Sequence, residues 1–550
     1  MDRAQVRLIR AAALALLALA VALGIYALAR NGSDKKGKGK DITPVAKRDP
    51  EPEFPPAKGK PNIVLLVTDD QDLASFKRKY MPRAFEHLVD QGTLFEQNIV
   101  PTPQCCPWRA AWLTGQYGHN NNILSNEPGY PILEEPENVL PVWMRKAGYT
   151  TIQIGKFLNG YEDAVDNIAM PAPGWDEWHA SVTEGYYKYA ISHNGRLEKY
   201  KKDPEDYHTT VVTELALEAI EKYSGRDRPF FLSLDYWAPH KDLKRLNSVR
   251  PDGESCKRAA IPAPEDWDKF MDEPLPRPPS FDEADVSDKP EIIRRQPRLA
   301  DADTAVPIEK KLANYQCRLA ALQAVDRSIE QVVNKLEETG ELEDTIVVFT
   351  SDNGFYFGQH RLASGKTWPY EEGIRTPLVV RAPRSVAGPN QPDTVSEIVA
   401  AIDLAPTILD WAGGEPCDYE DDCRVLDGRS WAPLLRGERG AWPRDRGIAL
   451  EAEETQRTGH RFPCKYQGIR TPTDMLNVHE MLANEDGKCE PHRDAEYYDL
   501  RRDPHQLENT WREGGANARQ RELMRRLEAL ADCAGIKGRD PRPKSGHWCE

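Results

Sequence analysis

The sequence predicts an α/β fold, a large mixed sheet flanked by helices, followed by a smaller C-terminal α+β subdomain. Two observations carry this. Ile63–Val67 and Thr345–Thr350 are continuous apolar runs, the pattern of strands buried on both faces of a parallel sheet. Ahead of the second run, Leu312, Tyr315, Leu319, Leu322, Val325, Ile329, Val332 and Leu336 recur at helical spacing until Gly340 ends the pattern. Strands alternating with such helices place helices on both faces of the sheet.

Taken in chain order, residues 1–30 come first. Ala11–Ala29 is almost wholly apolar and follows Arg3, Arg7 and Arg10. As a helix it spans about 28 Å, barely a bilayer core. It is either a signal peptide ending near Ala27-Leu28-Ala29 or an uncleaved signal anchor, an N-terminal membrane anchor. Lys35, Lys36, Lys38 and Lys40 after it oppose a simple positive-inside orientation. Either way the bulk of the chain is exported, extracellular or membrane-anchored facing outside the cytoplasm. Residues 31–60, rich in Lys, Gly, Pro and Glu, read as a flexible linker. The catalytic domain is expected over 61–440, with further strands at Thr151–Ile154, Phe230–Leu234 and Pro377–Arg381. Within it, 251–310 is polar and proline-rich and reads as a long surface insertion. The C-terminal subdomain, 441–550, is expected to hold short strands and a helix near Ala516–Ala531.

Of the 550 residues, 39% are hydrophobic and 29% charged, which marks a globular protein. The net charge of −15 argues against nucleic-acid binding and requires a local basic pocket if the substrate is an anion. Ten cysteines are present. Setting aside Cys105 and Cys106, an even number remains, which in an exported chain suggests disulfides. Cys417–Cys423, Cys464–Cys489 and Cys533–Cys549 are attractive local pairs, although sequence cannot fix connectivity. A zinc site is disfavoured, since no Cys-x-x-Cys occurs.

Cys105-Cys106-Pro107-Trp108-Arg109 is the densest chemical signal. Pro favours a first helical turn, so Cys105 is expected at a helix N-terminus, where negative charge is welcome. The plainer alternative is that the Cys-Cys pair is half of two disulfides. Asp69-Asp70 and Asp352-Asn353 each follow a buried strand at once. In open α/β sheets sites form at the carboxyl ends of strands. An Asp there is often only a helix cap, but two such pairs make an all-oxygen set that suits calcium or magnesium.

These residues resemble the type I sulfatase signature, Cys-x-Pro-x-Arg followed by Leu113-Thr114-Gly115-Gln116. Asn62–Asp70, Phe349–Gly354, Gly365-Lys366 with Tyr370–Pro377, and Glu496–Leu500 with Asp503-Pro504 match further motifs of that family in its order. Cys105-Cys106-Pro107, His119-Asn120, Gly155–Asn159, Gly174-Trp175-Asp176 and Ala238-Pro239-His240 resemble its glucosamine-6-sulfatase-like branch. The resemblance implies an alkaline-phosphatase-like fold. It implies one Ca2+ per chain at Asp69, Asp70, Asp352, Asn353 and residue 105. It implies that a formylglycine-generating enzyme oxidises Cys105 to formylglycine, whose hydrated aldehyde is the nucleophile. Arg109, Lys156 and Lys366 would surround the sulfate, and His240 would protonate the leaving alcohol. The implied substrate is a sulfated saccharide, with 6-O-sulfate on an amino sugar the specific expectation. Two departures stand out: Trp108 occupies a position usually Ser, and Leu158 stands where many members carry an assisting His. His119 is read as structural, while His360 is left between structural support and the site. Trp175, Trp178 and Tyr370 could floor a sugar site or belong to the core. The alternatives are a phosphoric or phosphonate monoester hydrolase of the same superfamily, or a non-catalytic sulfoglycan-binding protein if Cys105 stays unmodified.

Overall fold

A computed structural model describes residues 51–242, 256, 259–299, 308–363, 365–454, 463–484 and 486–550. The predicted leader at 11–29 lies outside them. Among the described residues no helix is long and apolar enough to cross a membrane.

The main sheet contains β1 (Asn62–Thr68), β2 (Thr93–Ile99), β3 (Thr150–Gly155), β4 (Glu177–Thr183), β5 (Ala190–His193), β6 (Arg196–Lys199), β7 (Phe230–Asp235), β8 (Thr345–Ser351), β9 (Arg375–Thr376), β10 (Leu378–Arg381) and β11 (Thr394–Ala400). Its order is β11-β2-β10-β8-β1-β7-β3-β4-β5-β6, with β9 paired to β2. The central run β8-β1-β7-β3-β4 is parallel. The predicted strand at Pro377–Arg381 forms as β10 but runs antiparallel to β8, so the sheet is mixed.

Both faces are covered, which explains the unbroken apolar runs. Along β1, Ile63, Leu65 and Val67 enter one core while Val64 and Leu66 enter the other. Each such buried side chain contributes about 1.5–3 kcal/mol. Four helices frame the argument: α1 (Cys105–Thr114), α2 (His208–Tyr223), α3 (Ile308–Glu338) and α4 (Ala518–Leu530). The predicted stripe of α3, from Tyr315 through Leu336, packs with Val64, Leu66 and Leu232 in the second core, and α2 adds Val212, Ala216 and Ile220 to it. The opposite core holds Trp108 and Trp112 of α1.

A second sheet, β12 (Ile448–Glu453), β13 (Lys465–Arg470), β14 (Asp474–Ala483) and β15 (Cys489–Asp499), is antiparallel throughout. Leu523 and Leu527 of α4 pack into the same core as Ile469 and Met475 of this sheet and Ile63 of β1. Four disulfides join Cys256–Cys317, Cys417–Cys423, Cys464–Cys489 and Cys533–Cys549, leaving Cys105 and Cys106 as thiols.

One expectation is corrected. The described part of 251–310 is not a surface insertion. Ile261, Leu275, Val286, Ile292 and Ile293 are buried among its prolines. Lys289 is fully buried, donating to the Gln506 carbonyl and, at 3.2 Å, to the Tyr498 hydroxyl. Apolar residues this widely spaced carry no helical or strand period, so composition alone hid the packing.

Candidate active site

Four neighbouring parallel strands deliver the site from their carboxyl ends. β1 leads into Asp69 and Asp70, β8 into Asp352 and Asn353, β7 ends in Asp235, and Lys156 follows β3. The ends of β1 and β8 are locked together: the Asp352 amide donates to the Thr68 carbonyl at 3.1 Å, and the Asp70 amide to Asp352 Oδ1 at 3.0 Å. Asp70 has φ +68°, a left-handed turn that lets consecutive carboxylates face one pocket. Gly155 is required on steric grounds, since a Cβ there would meet the Asp235 carbonyl oxygen at 2.0 Å.

Cys105 opens α1 beneath these strand ends. Its Sγ lies 3.2 Å from Asp69 Oδ1 and 2.5 Å from Lys366 Nζ. The Cys106 amide at the same helix start is held by Asn126 Oδ1 at 2.9 Å. Trp108 points into the core beside Trp112, so the position usually held by Ser makes no polar contact here. Lys366 Nζ also pairs with Asp70 Oδ1 at 2.5 Å, and Lys156 Nζ with Asp69 Oδ2 at 2.5 Å. Lys156 lies over the Trp237 ring, 4.8 Å from its centroid.

Arg109 is fully buried. One amino nitrogen pairs with Asp235 Oδ1 at 2.5 Å and also bonds the Lys156 carbonyl, while the other lies 3.3 Å from Asp352 Oδ2. It braces three strand ends. His240 places Nδ1 2.8 Å from the Lys241 carbonyl and Nε2 3.7 Å from Asp70 Oδ2. The Nδ1 contact requires a proton on that nitrogen, so in the neutral ring Nε2 is the free nitrogen.

Electrostatics follow from this crowding. Burial alone would raise the Asp69 carboxyl, but Lys156, His240, Lys366 and Arg109 hold it well below the usual carboxylate range. Burial likewise opposes ionisation of Asp70, yet Lys366 and His240 bring it down to about 2. Asp352 goes the other way: burial and the Asp69 charge push it up to about 7 against Arg109. Burial, then Asp69, pushes the Cys105 thiol well above its ordinary value. Burial pushes His240 down to about 4 against the pull of Asp69 and Asp70.

The residues fit a hard cation. Asp69 and Asp70 present carboxylate oxygens within 4.8 Å of one another and of the Cys105 sulfur and a His240 ring nitrogen; the hard donors among these are the two carboxylates. Asp352 and Asn353 join through Asp70, with Asn353 Nδ2 2.8 Å from Asp70 Oδ1. Among the described residues Asn353 Oδ1 is buried without a hydrogen-bond partner, and burial with the Asp69 charge opposes ionisation of Asp352 against Arg109, Lys366 and Lys156. Carboxylate and amide oxygens are calcium or magnesium donors.

Other expected residues fall elsewhere. His119 bonds Glu451 Oε2 at 2.8 Å and the Cys533 carbonyl at 3.0 Å, a tie to the C-terminal segment. His360 is buried, bonded to Glu283 at 3.0 Å and stacked on Tyr370. Of the two readings of the aromatics, core holds: Trp175 stacks on Phe231, Trp178 meets Phe157 edge-on, and Tyr370 is buried with its hydroxyl on Glu496. Leu158 is core. Sequence reasoning missed Asp235, although it directly follows the predicted strand Phe230–Leu234 and so meets the rule that found Asp69 and Asp352. It also missed Trp237, Glu184 and Arg318. Arg318 comes from mid-α3 and donates to the Asp70 and Pro239 carbonyls. No local motif marks Glu184 or Arg318, whereas Trp237 directly precedes Ala238-Pro239-His240.

Residues 61–414 match the family model described as Sulfatase. The chain is 32% identical over 423 residues to N-acetylglucosamine-6-sulfatase of Homo sapiens, covering 74% of this chain and 71% of that protein. It is 34% identical over 399 residues to the extracellular sulfatase SULF-1 homolog of Drosophila melanogaster, covering 70% of this chain. The chain spans about a third of that relative's length, 32%. A solved structure described as BT4656 in complex with its substrate D-glucosamine-2-N,6-O-disulfate superposes with a TM-score of 0.67 at 24% identity, covering 85% of this chain and 97% of that one.

Proposed function

The chain belongs to the sulfatase family, and from that premise we propose that it hydrolyses sulfate monoesters, with 6-O-sulfate on an amino sugar or another sulfated glycan as its substrate. The observation that carries the reading is the convergence on Cys105 of buried Lys156, half-buried Lys366 and three buried carboxylates from neighbouring strand ends. The 6-O position is supported by the resemblance to N-acetylglucosamine-6-sulfatase and by the glucosamine complex of the structural neighbour.

A sulfate monoester is an anion that repels nucleophiles, so the site must supply positive charge where oxygen charge grows. Lys156 and Lys366 are the groups that hold the sulfate oxygens. Arg109 acts by fixing Asp235, Asp352 and the Lys156 backbone in one frame. Calcium, held by Asp69, Asp70, Asp352, Asn353 and residue 105, would add a further charge against the sulfate. Formylglycine at 105 would supply a hydroxyl nucleophile that an un-ionised thiol cannot. The raised Cys105 thiol supports this need for maturation, by a formylglycine-generating enzyme. His240, its Nδ1–H anchored on Lys241, acts as the imidazolium that gives its Nε2 proton to the leaving oxygen and is left as the neutral ring. Four disulfides support action outside the cytoplasm.

The test is sulfate release by mature protein from 6-O-sulfated glucosamine, a sulfated galactoside, choline sulfate, an aryl sulfate and an aryl phosphate. The sulfatase reading requires turnover of a sulfated sugar above the aryl phosphate, and its 6-O amino-sugar form requires turnover of 6-O-sulfated glucosamine above the others. Preference for the aryl phosphate would replace it with phosphoryl chemistry.

A further inference from the structure

Glu184 directly follows β4, the strand beside β3 whose end carries Lys156. Two residues on, Tyr186 is fully buried and its hydroxyl donates to the His240 carbonyl at 2.7 Å. That bond pins the segment against the loop that presents His240. The Glu184 side chain is half-buried and receives no hydrogen bond or ion pair from any described residue. Its charged neighbours are Lys156, Asp69, Glu162 and Lys366; burial pushes its carboxyl up, and the two lysines oppose that and favour the ionised form.

This carboxylate is out of place for sulfate. It would repel the anion, and both lysines already pair with Asp69 and Asp70. Its position at the carboxyl end of the next strand suits the other part of the substrate, the alcohol that carries the ester. We propose that Glu184 is a specificity-determining residue: it accepts a hydrogen bond from an ammonium or hydroxyl group of the sulfated sugar and repels a second sulfate at that place. The inference rests on the sulfatase reading above. A hydrogen bond to an ionised acceptor is stronger than a neutral one, and an anion facing that acceptor is excluded by the same charge.

The experiment measures kcat/KM of mature wild type and Glu184→Gln on glucosamine 6-sulfate, glucose 6-sulfate and glucosamine 2-N,6-O-disulfate. In Glu184→Gln the preference for glucosamine 6-sulfate over the disulfate falls about tenfold or more, chiefly through KM. A larger loss on glucosamine 6-sulfate than on glucose 6-sulfate identifies the donor as the ammonium; equal losses identify a hydroxyl. Glu184→Asp, which keeps the charge, retains more of the preference than Glu184→Gln. A ratio unchanged within about twofold overturns the proposal, including the case in which all three rates fall together, the mark of a structural role. Absence of turnover on every sulfate ester by wild type overturns the sulfatase reading, and this inference with it.

Discussion

At the residue scale, the account turns on groups whose charge makes sense only together. Cys105→Ala is expected to abolish sulfate release, and the tryptic peptide spanning position 105 of active protein to run about 18 Da below its cysteine form, the mark of thiol-to-aldehyde conversion. Active protein with only unmodified cysteine or a disulfide there would contradict maturation. Asp352→Ala is expected to lose bound metal and turnover together, read by metal analysis alongside activity; retained stoichiometric calcium would exclude Asp352 as a ligand. Asp235→Ala strips the main partner from the buried Arg109 guanidinium, and breaking such a pair costs about 3–5 kcal/mol, visible as a lower denaturant midpoint. An unchanged midpoint would show that Asp352 alone suffices for Arg109. The metal carboxylates and Lys366 were legible because they sit in dense local motifs or directly after apolar strands. Glu184 and Arg318 were not, since they lie in segments with no motif; Trp237, one residue before Ala238-Pro239-His240, was within reach of one and was passed over.

At the element scale, β1 and β8 were readable from unbroken apolar runs and α3 from its helical period, and the C-terminal helix fell within two residues of its expected start. The direction of β10 was not, because a four-residue strand with three apolar residues has the same pattern parallel or antiparallel. Strand approach at the site is tight: Gly155→Ala would drive a Cβ into the Asp235 carbonyl at a residue with φ +91°. It is expected to cost about 2 kcal/mol or more and to lower turnover, since the strained strand carries Lys156. Wild-type stability and rate in this variant would show that β3 and β7 can part freely. In β15, burial would raise Glu496, but hydrogen bonds from His479 and Tyr498 bring it down to about 2. A lowered carboxyl contributes stability that is full above its unfolded value, about 4.3, and fades as pH falls toward its folded one. Glu496→Gln should therefore flatten the loss of stability between pH 4.3 and 2, measured by thermal unfolding across pH. A parallel acid limb in both proteins would contradict the assignment.

At the scale of the whole molecule, an acidic chain of net charge −15 concentrates buried cations around one thiol at the centre of its sheet. Four disulfides tie loops and the C-terminal segment around that sheet, and three of them were visible as local pairs in the sequence. Thiol labelling of denatured, unreduced protein should find no more than Cys105 and Cys106; four or more free thiols would contradict the bonded state. The most direct test of the central claim compares wild type with Cys105→Ala on an aryl sulfate and the matching aryl phosphate, following release of the aryl alcohol. The account predicts that wild type prefers the sulfate and that Cys105→Ala loses this activity. Preference for the phosphate, or sulfate hydrolysis surviving in Cys105→Ala, would contradict it.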